Sequence, residues 1–437
     1  MIEIRAISSQ NPWWVDEKEI EKDSKVAEAL SKKNKLLHFF QDGNFLILGP
    51  RQVGKTTYLK LLIHDLIENK KVNPKNILYF TCERLSKKDE IFELVETFDR
   101  LSAGKKFLFL DEITFVQDWD TVVKFLLDSN FIKNKFLYIT GSTSATFKKE
   151  RFPGRDIKVK EFLPLSFRDF CLLFGSKKLK EVLANLKISE VKAEKVYDLC
   201  NQLLPFSIEL QTLFEKYIEC GGFPISAFQL VENEKIKEET FDIYINWILG
   251  DISKLEKSER IFKSVLQGVL KNYGTKFSLN SIAKEMEIGS HVTVREYLEF
   301  LEKIYVLRNY FRIDLNKKVP IYRGERKVYF IDPFLFKVFN KYVRGISEIP
   351  EDKLSLVIEG IVAESLRRRF NGVFFFHNRK EIDCVIGKVG IEIKYGKVSK
   401  EDFPKVEIKE KILLSKDYLK DFVEIKVVPV SLFLVLL

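Results

Sequence analysis

The chain has 437 residues, 46% of them hydrophobic and 31% charged, which is the composition of a globular protein of two to four domains. No run of eighteen apolar residues occurs and the amino terminus lacks a charged-then-apolar leader pattern, so the sequence predicts no membrane span and a cytoplasmic protein. Five scattered cysteines without a C-x-x-C pair argue against a disulfide framework or a zinc site, and with only four histidines any metal should be a hard cation held by carboxylates. The net charge of +10 favours a polyanionic partner without naming one.

In chain order, the first informative segment is NFLILGPRQVGKTTYLKLLIHDLIEN. An apolar strand runs into Gly49-Pro50-Arg51-Gln52-Val53-Gly54-Lys55-Thr56-Thr57 and then into a helix striped by Leu59, Leu62, Ile63, Leu66 and Ile67. Glycines between a strand and a helix let backbone amides approach a phosphate, and the helix amino terminus adds a favourable partial charge. The spacing predicts a P-loop that binds ATP, with Lys55 on the β- and γ-phosphates and Thr56 on Mg²⁺. The next strand, KKFLFLDEITF, ends in Asp111, placed for the Mg²⁺ shell, and Glu112, placed to polarise the attacking water. A third, NKFLYITGSTSA, ends in Thr140 and Ser142, which either sense the γ-phosphate or are plain turn residues.

These segments resemble the archaeal AAA-type ATPases of the STAND-like branch. NPWW near the start, PGRDIKVKEFLPLSFRDF and ECGGFPISAF carry the same resemblance, which extends over essentially the whole chain. It implies that Arg155 is either a γ-phosphate contact, within one subunit or across a homo-oligomer, or an ordinary surface charge.

From Gly175 to Lys216 the chain is lysine-rich and helical, and reads as a lid or insertion. FSLNSIAKEMEIGSHVTVREYLEFLEKIYVLRN then predicts two helices around a glycine turn, and RNYFRIDLNKKVPIYRGERK a hairpin with seven basic residues against two acidic ones. Together they read as a winged helix. His291, Thr293 and Arg295 are candidates for DNA contact, while Glu296, Glu299 and Glu302 oppose it, so the basic hairpin is the expected DNA surface. The alternative is a protein–protein or coupling module.

Near the carboxyl end, RKEIDCVIGKVGIEIKYGK predicts a hairpin turning at Gly387-Lys388. That register sets Ile386 opposite Val389 and Asp383 opposite Glu392, with Lys394 on the same face. Facing carboxylates repel unless a positive charge lies between them. The pattern resembles the PD-(D/E)xK nuclease superfamily, which implies that Asp383 and Glu392 hold Mg²⁺ or Mn²⁺ and that Lys394 acts on the water. The preceding helix, LVIEGIVAESLRRRF, offers Glu359 or Glu364 as a further ligand, and Arg367, Arg368 and Arg369 as phosphate contacts or a solvated helix end. The bland alternative is an ion-paired remnant in which Lys394 neutralises Glu392 or Glu381. The final VVPVSLFLVLL predicts a buried strand.

The expected architecture is therefore α/β. A P-loop ATPase core (1–175) with a helical lid (176–256) is followed by a winged helix (257–345) and a small restriction-endonuclease-like domain (346–437). The expected function is an ATP-hydrolysing, DNA-directed protein coupled to a metal-dependent nuclease-like domain. The alternative is a nucleotide-switched regulatory ATPase whose last domain is catalytically silent.

Overall fold

Short, almost wholly apolar runs build the first sheet. Strands β1 (Phe45–Leu48), β2 (Ile77–Thr81), β3 (Lys106–Asp111) and β4 (Lys135–Gly141) carry hardly an exposed side chain, and the charged β5 (Lys158–Glu161) forms one edge. All pairs are parallel, in the order β2-β3-β4-β1-β5. Apolar runs of this kind are what a parallel sheet with covered faces requires. The computed structural model describes residues 4–32, 42–85, 87–128, 134–142 and 152–437. The chain divides into two units, residues 1–163 and 164–437.

NPWW belongs to the first unit. Asn11 caps the free edge of β2 by donating to the Tyr79 carbonyl (2.9 Å) and accepting from the Tyr79 amide (2.7 Å). The Trp13 and Trp14 indoles both donate to the Ile77 carbonyl. Side chains thus satisfy backbone groups that an uncovered edge would leave open.

The second unit holds a mixed sheet of eight strands: β6 (Leu307–Asp314), β7 (Val319–Phe330), β8 (Val373–Asn378), β9 (Lys380–Ile386), β10 (Val389–Lys394), β11 (Glu410–Ser415), β12 (Lys420–Asp421) and β13 (Ile425–Pro429). Their order is β12-β13-β11-β10-β9-β8-β6-β7. The α/β class is the one expected, with two refinements of its parts. The helices Leu279–Glu285 and His291–Lys303 and the β6/β7 hairpin do occur. The hairpin, however, joins the sheet through Arg312 opposite Phe375, so the boundary drawn at 345/346 runs through one unit. The segment read as a lid also packs within this unit: Ala193 N–H donates to Glu410 (2.7 Å) and Gln211 to the Tyr395 hydroxyl (2.9 Å).

The terminal strand needs correction. Extended structure stops at Pro429, and Val430–Leu436 is a helix buried on every side. A continuous apolar run suits a buried strand or a buried helix equally well. Pro429 has no N–H to continue a ladder, but its fixed φ suits the residue that opens a helix.

The glycines of ECGGFP are needed for close approach. A Cβ at Gly222 would lie 2.0 Å from the Leu165 carbonyl oxygen, and one at Gly221 (φ +64) would lie 1.8 Å from Asp332 Oδ1. Gly222 N–H donates to Asp332 (2.7 Å), and Leu165 N–H donates to the Gly222 carbonyl (2.8 Å). The segments PLSF, GGFP and IDPF therefore meet at one buried junction. Gly222→Ala should lower the urea midpoint of unfolding, by an amount of order 3 kcal/mol. Gly250→Ala, on an exposed helix position with open space around it, should raise stability by roughly 0.5–1 kcal/mol. Equal midpoints for the two variants would refute this account of the junction.

Candidate functional site

The P-loop leaves β1 and is turned by Gln52 (φ 61) and Gly54 (φ 94), after which the helix Lys55–Glu68 begins. Gly49 is required by crowding, since a Cβ there would lie 1.9 Å from the Phe162 carbonyl oxygen; Gly54 is required by its φ and faces open space. The Lys55 ammonium donates to the carbonyls of Gly49 (3.0 Å) and Pro50 (2.8 Å) and lies 3.5 Å from Glu112 Oε1. Burial pulls its pKa below the usual lysine range, with Glu112 and Asp111 opposing. Val53 is buried, and the Arg51 guanidinium sits 5.3 Å from the centre of the Phe115 ring.

Strand β4 lies between β1 and β3, so its end meets the end of β3. Asp111, buried at the tip of β3, accepts from Thr56 Oγ1 (2.7 Å), from the Tyr79 hydroxyl (2.8 Å) and from the Thr140 hydroxyl. Glu112 takes a left-handed conformation (φ 53) that non-glycine residues seldom adopt, and its N–H donates to Thr140 Oγ1 (2.8 Å). The Ser142 hydroxyl donates to the Glu112 carboxylate. Thr140 and Ser142 thus set the two carboxylates. Tyr79 escaped the sequence reading; its one signal is its place in an apolar strand next to β3. The donor set fits a nucleoside triphosphate and Mg²⁺: a buried ammonium among neutral carbonyls, open space beside Gly54, and a threonine hydroxyl already on the Asp111 carboxylate.

Arg155 stands apart from this set. Its Nε and Nη2 form a two-pronged pair with Asp128 (2.7 and 2.6 Å). That pair holds the Asp128 carboxyl below the usual carboxylate range through the Arg155 hydrogen bond.

In the second unit the hairpin register is the expected one, with Ile386 opposite Val389 and Gly387 at φ +56 in the turn. Asp383 and Glu392 converge, the Asp383 N–H donating to Glu392 Oε2 (3.3 Å). Ile382, Cys384, Ile391 and Ile393 are buried, as predicted. Of the two helix candidates, Glu359 joins the cluster, while Glu364 pairs with Arg368 (3.1 Å) and Arg308 (3.8 Å).

The positive charge is not where the sequence put it. Lys394 is exposed, and its side chain makes no hydrogen bond or ion pair among the described residues. Lys327, on β7 and 1% exposed, instead places its ammonium 2.7 Å from Glu359 and 3.3 Å from Asp383, and pairs with Glu381. Burial opposes its charge, but Glu359, Asp383 and Glu381 together hold its pKa well above the usual lysine range. Burial pushes Glu359 up to about 8, with Asp383 adding to the shift, and burial and Asp383 likewise raise Glu392. The described residues contain no group of three or more side chains arranged to hold a metal ion. Of the expected ligands, Glu359 and Asp383 therefore meet an ammonium, and Glu392 accepts the Asp383 N–H beside them.

Two basic patches also need correction. Arg367, Arg368 and Arg369 donate to the carbonyls of Asn309, Pro164 and Ile188; the first two are half-buried, while Arg369 stays exposed at the helix end. On the hairpin, Lys327 is buried, Arg308 pairs with Glu364, and Arg326 lies over the Phe311 ring. Lys317, Lys318 and Arg323 are exposed and Arg312 half-buried, beside exposed Tyr322. His291 and Arg295 are exposed on their helix, and Thr293 is half-buried at its capped start.

Residues 41–171 match a family model described as an AAA domain. Residues 211–344 match a model described as a domain of unknown function. The chain is similar to two uncharacterized proteins of Methanocaldococcus jannaschii. One, MJ1637, is 27% identical over 304 residues, covering 65% of this chain and 60% of that one. The other, MJ1544, is 28% identical over 359 residues, covering 78% and 71%. The chain thus spans only 60% of the length of the first. An uncharacterized Haemophilus influenzae protein is 25% identical over 392 residues, covering 85% of this chain and 87% of its own. Among solved structures, the Thermotoga maritima RuvB Holliday junction branch migration motor aligns with a TM-score of 0.28 at 15% identity, over 80% of this chain and 96% of that one. The Aeropyrum pernix ORC1 protein in complex with DNA aligns with 0.30 at 14%, over 74% and 92%. Scores this low carry nothing about function.

Thr140 is the hinge pin of the carboxylate pair, and its hydroxyl can be tested apart from catalysis. Thr140→Val should lower unfolding stability by about 2 kcal/mol, because it leaves the buried Asp111 carboxylate and the Glu112 amide each one partner short. Thr140→Ser should recover most of that loss. Equal urea midpoints for the two variants would contradict the assignment.

Proposed function

We propose that this chain is an ATP-hydrolysing, DNA-directed P-loop ATPase. The observation that carries the reading is the meeting of Lys55, the Thr56–Asp111 pair and Glu112 at and beyond the ends of the parallel strands β1 and β3, with β4 between them. Gly49, Gly54 and the amides leading into the helix would receive the phosphates. Lys55, held by two neutral carbonyls and by Glu112 at 3.5 Å, would move onto the β- and γ-phosphate oxygens. Thr56 and Asp111 would hold the Mg²⁺, whose chemistry when bound is to neutralise charge on those oxygens. Glu112, turned by its left-handed backbone and held by Ser142, would orient the attacking water and take its proton. Arg155 would serve a γ-phosphate only after leaving Asp128.

Lys55→Ala should abolish nucleotide binding. Glu112→Gln should bind ATP with wild-type affinity and hydrolyse it some 10²-fold or more slowly, the usual contribution of a positioned base. Wild-type turnover by Glu112→Gln would overturn the role given to that residue.

The exposed basic hairpin supports the DNA half of the reading. Its phosphate contacts would fall to Arg312, Lys317, Lys318 and Arg323, since Arg308 is paired with Glu364. Neutralising Lys317, Lys318 and Arg323 together should flatten the salt dependence of duplex binding, by roughly 0.9 in log–log slope for each phosphate left without its cation. An unchanged slope would move the DNA site elsewhere.

For the nuclease-like sheet two readings stand. In one, Asp383, Glu392 and Lys394 support Mg²⁺- or Mn²⁺-dependent cleavage. In the other, the sheet is catalytically silent and the protein is a nucleotide-switched regulator. The buried Lys327 ammonium favours the second. It predicts no cleavage of linear or branched DNA with Mg²⁺ or Mn²⁺, with or without ATP. Cleavage abolished by Asp383→Ala would restore the first reading.

A further inference from the structure

The carboxylate cluster of the second unit has a cation problem that the sequence assigned to a divalent metal. Three carboxylates, Glu359, Glu381 and Asp383, surround one buried ammonium, and a fourth, Glu392, accepts the Asp383 N–H. Taking such charges out of water is costly unless each finds a partner. The partners can be followed oxygen by oxygen. Asp383 Oδ1 faces Lys327 Nζ at 3.3 Å, and Asp383 Oδ2 accepts the Ile393 N–H at 3.0 Å. Both oxygens of the residue that a metal would need most are therefore engaged. Glu359 Oε1 accepts from Lys327 Nζ at 2.7 Å and from the Tyr329 hydroxyl, and Glu392 Oε2 receives the Asp383 amide. The ammonium is equally committed: its three N–H donors face Glu359, Glu381 and Asp383. None is left to act on a water, so a role as the water-activating lysine does not fit it.

We propose that Lys327 is the resident cation of this cluster, an internal ammonium occupying the place of a hard divalent ion, and that removing it opens a divalent-cation site. The inference rests on the silent reading of the sheet and names the residue responsible. Nothing local marks that residue, because Lys327 lies on β7, 56 positions from Asp383 in sequence and with β6 and β8 between their strands in the sheet order. Both Lys327 and Tyr329 point to the carboxylates from the same strand, as alternate residues must.

The probe is Mn²⁺ alone, followed by calorimetric titration and by thermal unfolding of the full chain without nucleotide. Wild type should show no Mn²⁺ binding that Asp383→Asn removes, and no Mn²⁺-dependent rise in Tm at millimolar concentration. Lys327→Met, close in length and uncharged, should gain one Mn²⁺ per chain. Its Tm should rise with Mn²⁺ as binding to the folded state alone requires, and Lys327→Met with Asp383→Asn should lose both effects. Wild-type Mn²⁺ binding that disappears in Asp383→Asn would overturn the proposal. So would a folded Lys327→Met that takes up no Mn²⁺. Should Lys327→Met fail to fold even with Mn²⁺ present, the wild-type comparison with Asp383→Asn decides alone. The ATPase reading stands or falls separately, on Lys55→Ala and Glu112→Gln, which touch none of these residues.

Discussion

A buried ammonium must be met by oxygen atoms, and much of what this chain can do depends on which oxygens meet it. Lys55 and Lys327 are both nearly inaccessible to solvent, yet they are held differently. Lys55 rests on two neutral carbonyls of its own loop, with Glu112 at 3.5 Å. Those partners surrender it readily to a polyphosphate, which offers charge as well as oxygen. Lys327 is enclosed by three carboxylates, and no incoming ligand offers it more than it already has. In the proposed function the first lysine serves a ligand, and the second is part of the structure.

The same contrast extends to the carboxylates. Asp111 and Glu112 are positioned by hydroxyl groups of Thr56, Tyr79, Thr140 and Ser142, which can re-aim as charge arrives. Because β4 lies beside β3, Thr140 and Ser142 at its end reach both carboxylates. Asp383 and Glu392 are positioned by backbone amides of the sheet and by the buried Lys327 ammonium. A polar network satisfied by hydroxyls suits changing charge, and one satisfied by backbone and ammonium suits permanence.

The local parts of this arrangement were legible in the sequence. The P-loop and its Asp111-Glu112 partner are read from spacing, and the register of β9 on β10 follows from Gly387-Lys388 alone. The unread parts involve distant partners. Lys327 looked like one more basic residue of a hairpin, because its alternation with Arg326 says which face it takes but not what covers that face. Arg367 and Arg368 read as phosphate contacts or a solvated helix end, because the carbonyls they bind, at Asn309 and Pro164, are 58 and 204 residues away. Tyr79 is hidden among apolar strand residues. The terminal helix Val430–Leu436 misled for another reason: full burial erases the periodicity that separates helix from strand.

The account turns on where a divalent cation goes when both units are intact. The direct measurement is anomalous scattering from crystals of the wild-type chain grown with Mn²⁺ and a non-hydrolysable ATP analogue. The account predicts one Mn²⁺ per chain, at Thr56 and Asp111 beside the nucleotide, with the Lys327 ammonium still seated among Glu359, Glu381 and Asp383. A second Mn²⁺ among Glu359, Asp383 and Glu392, with Lys327 displaced, would contradict it.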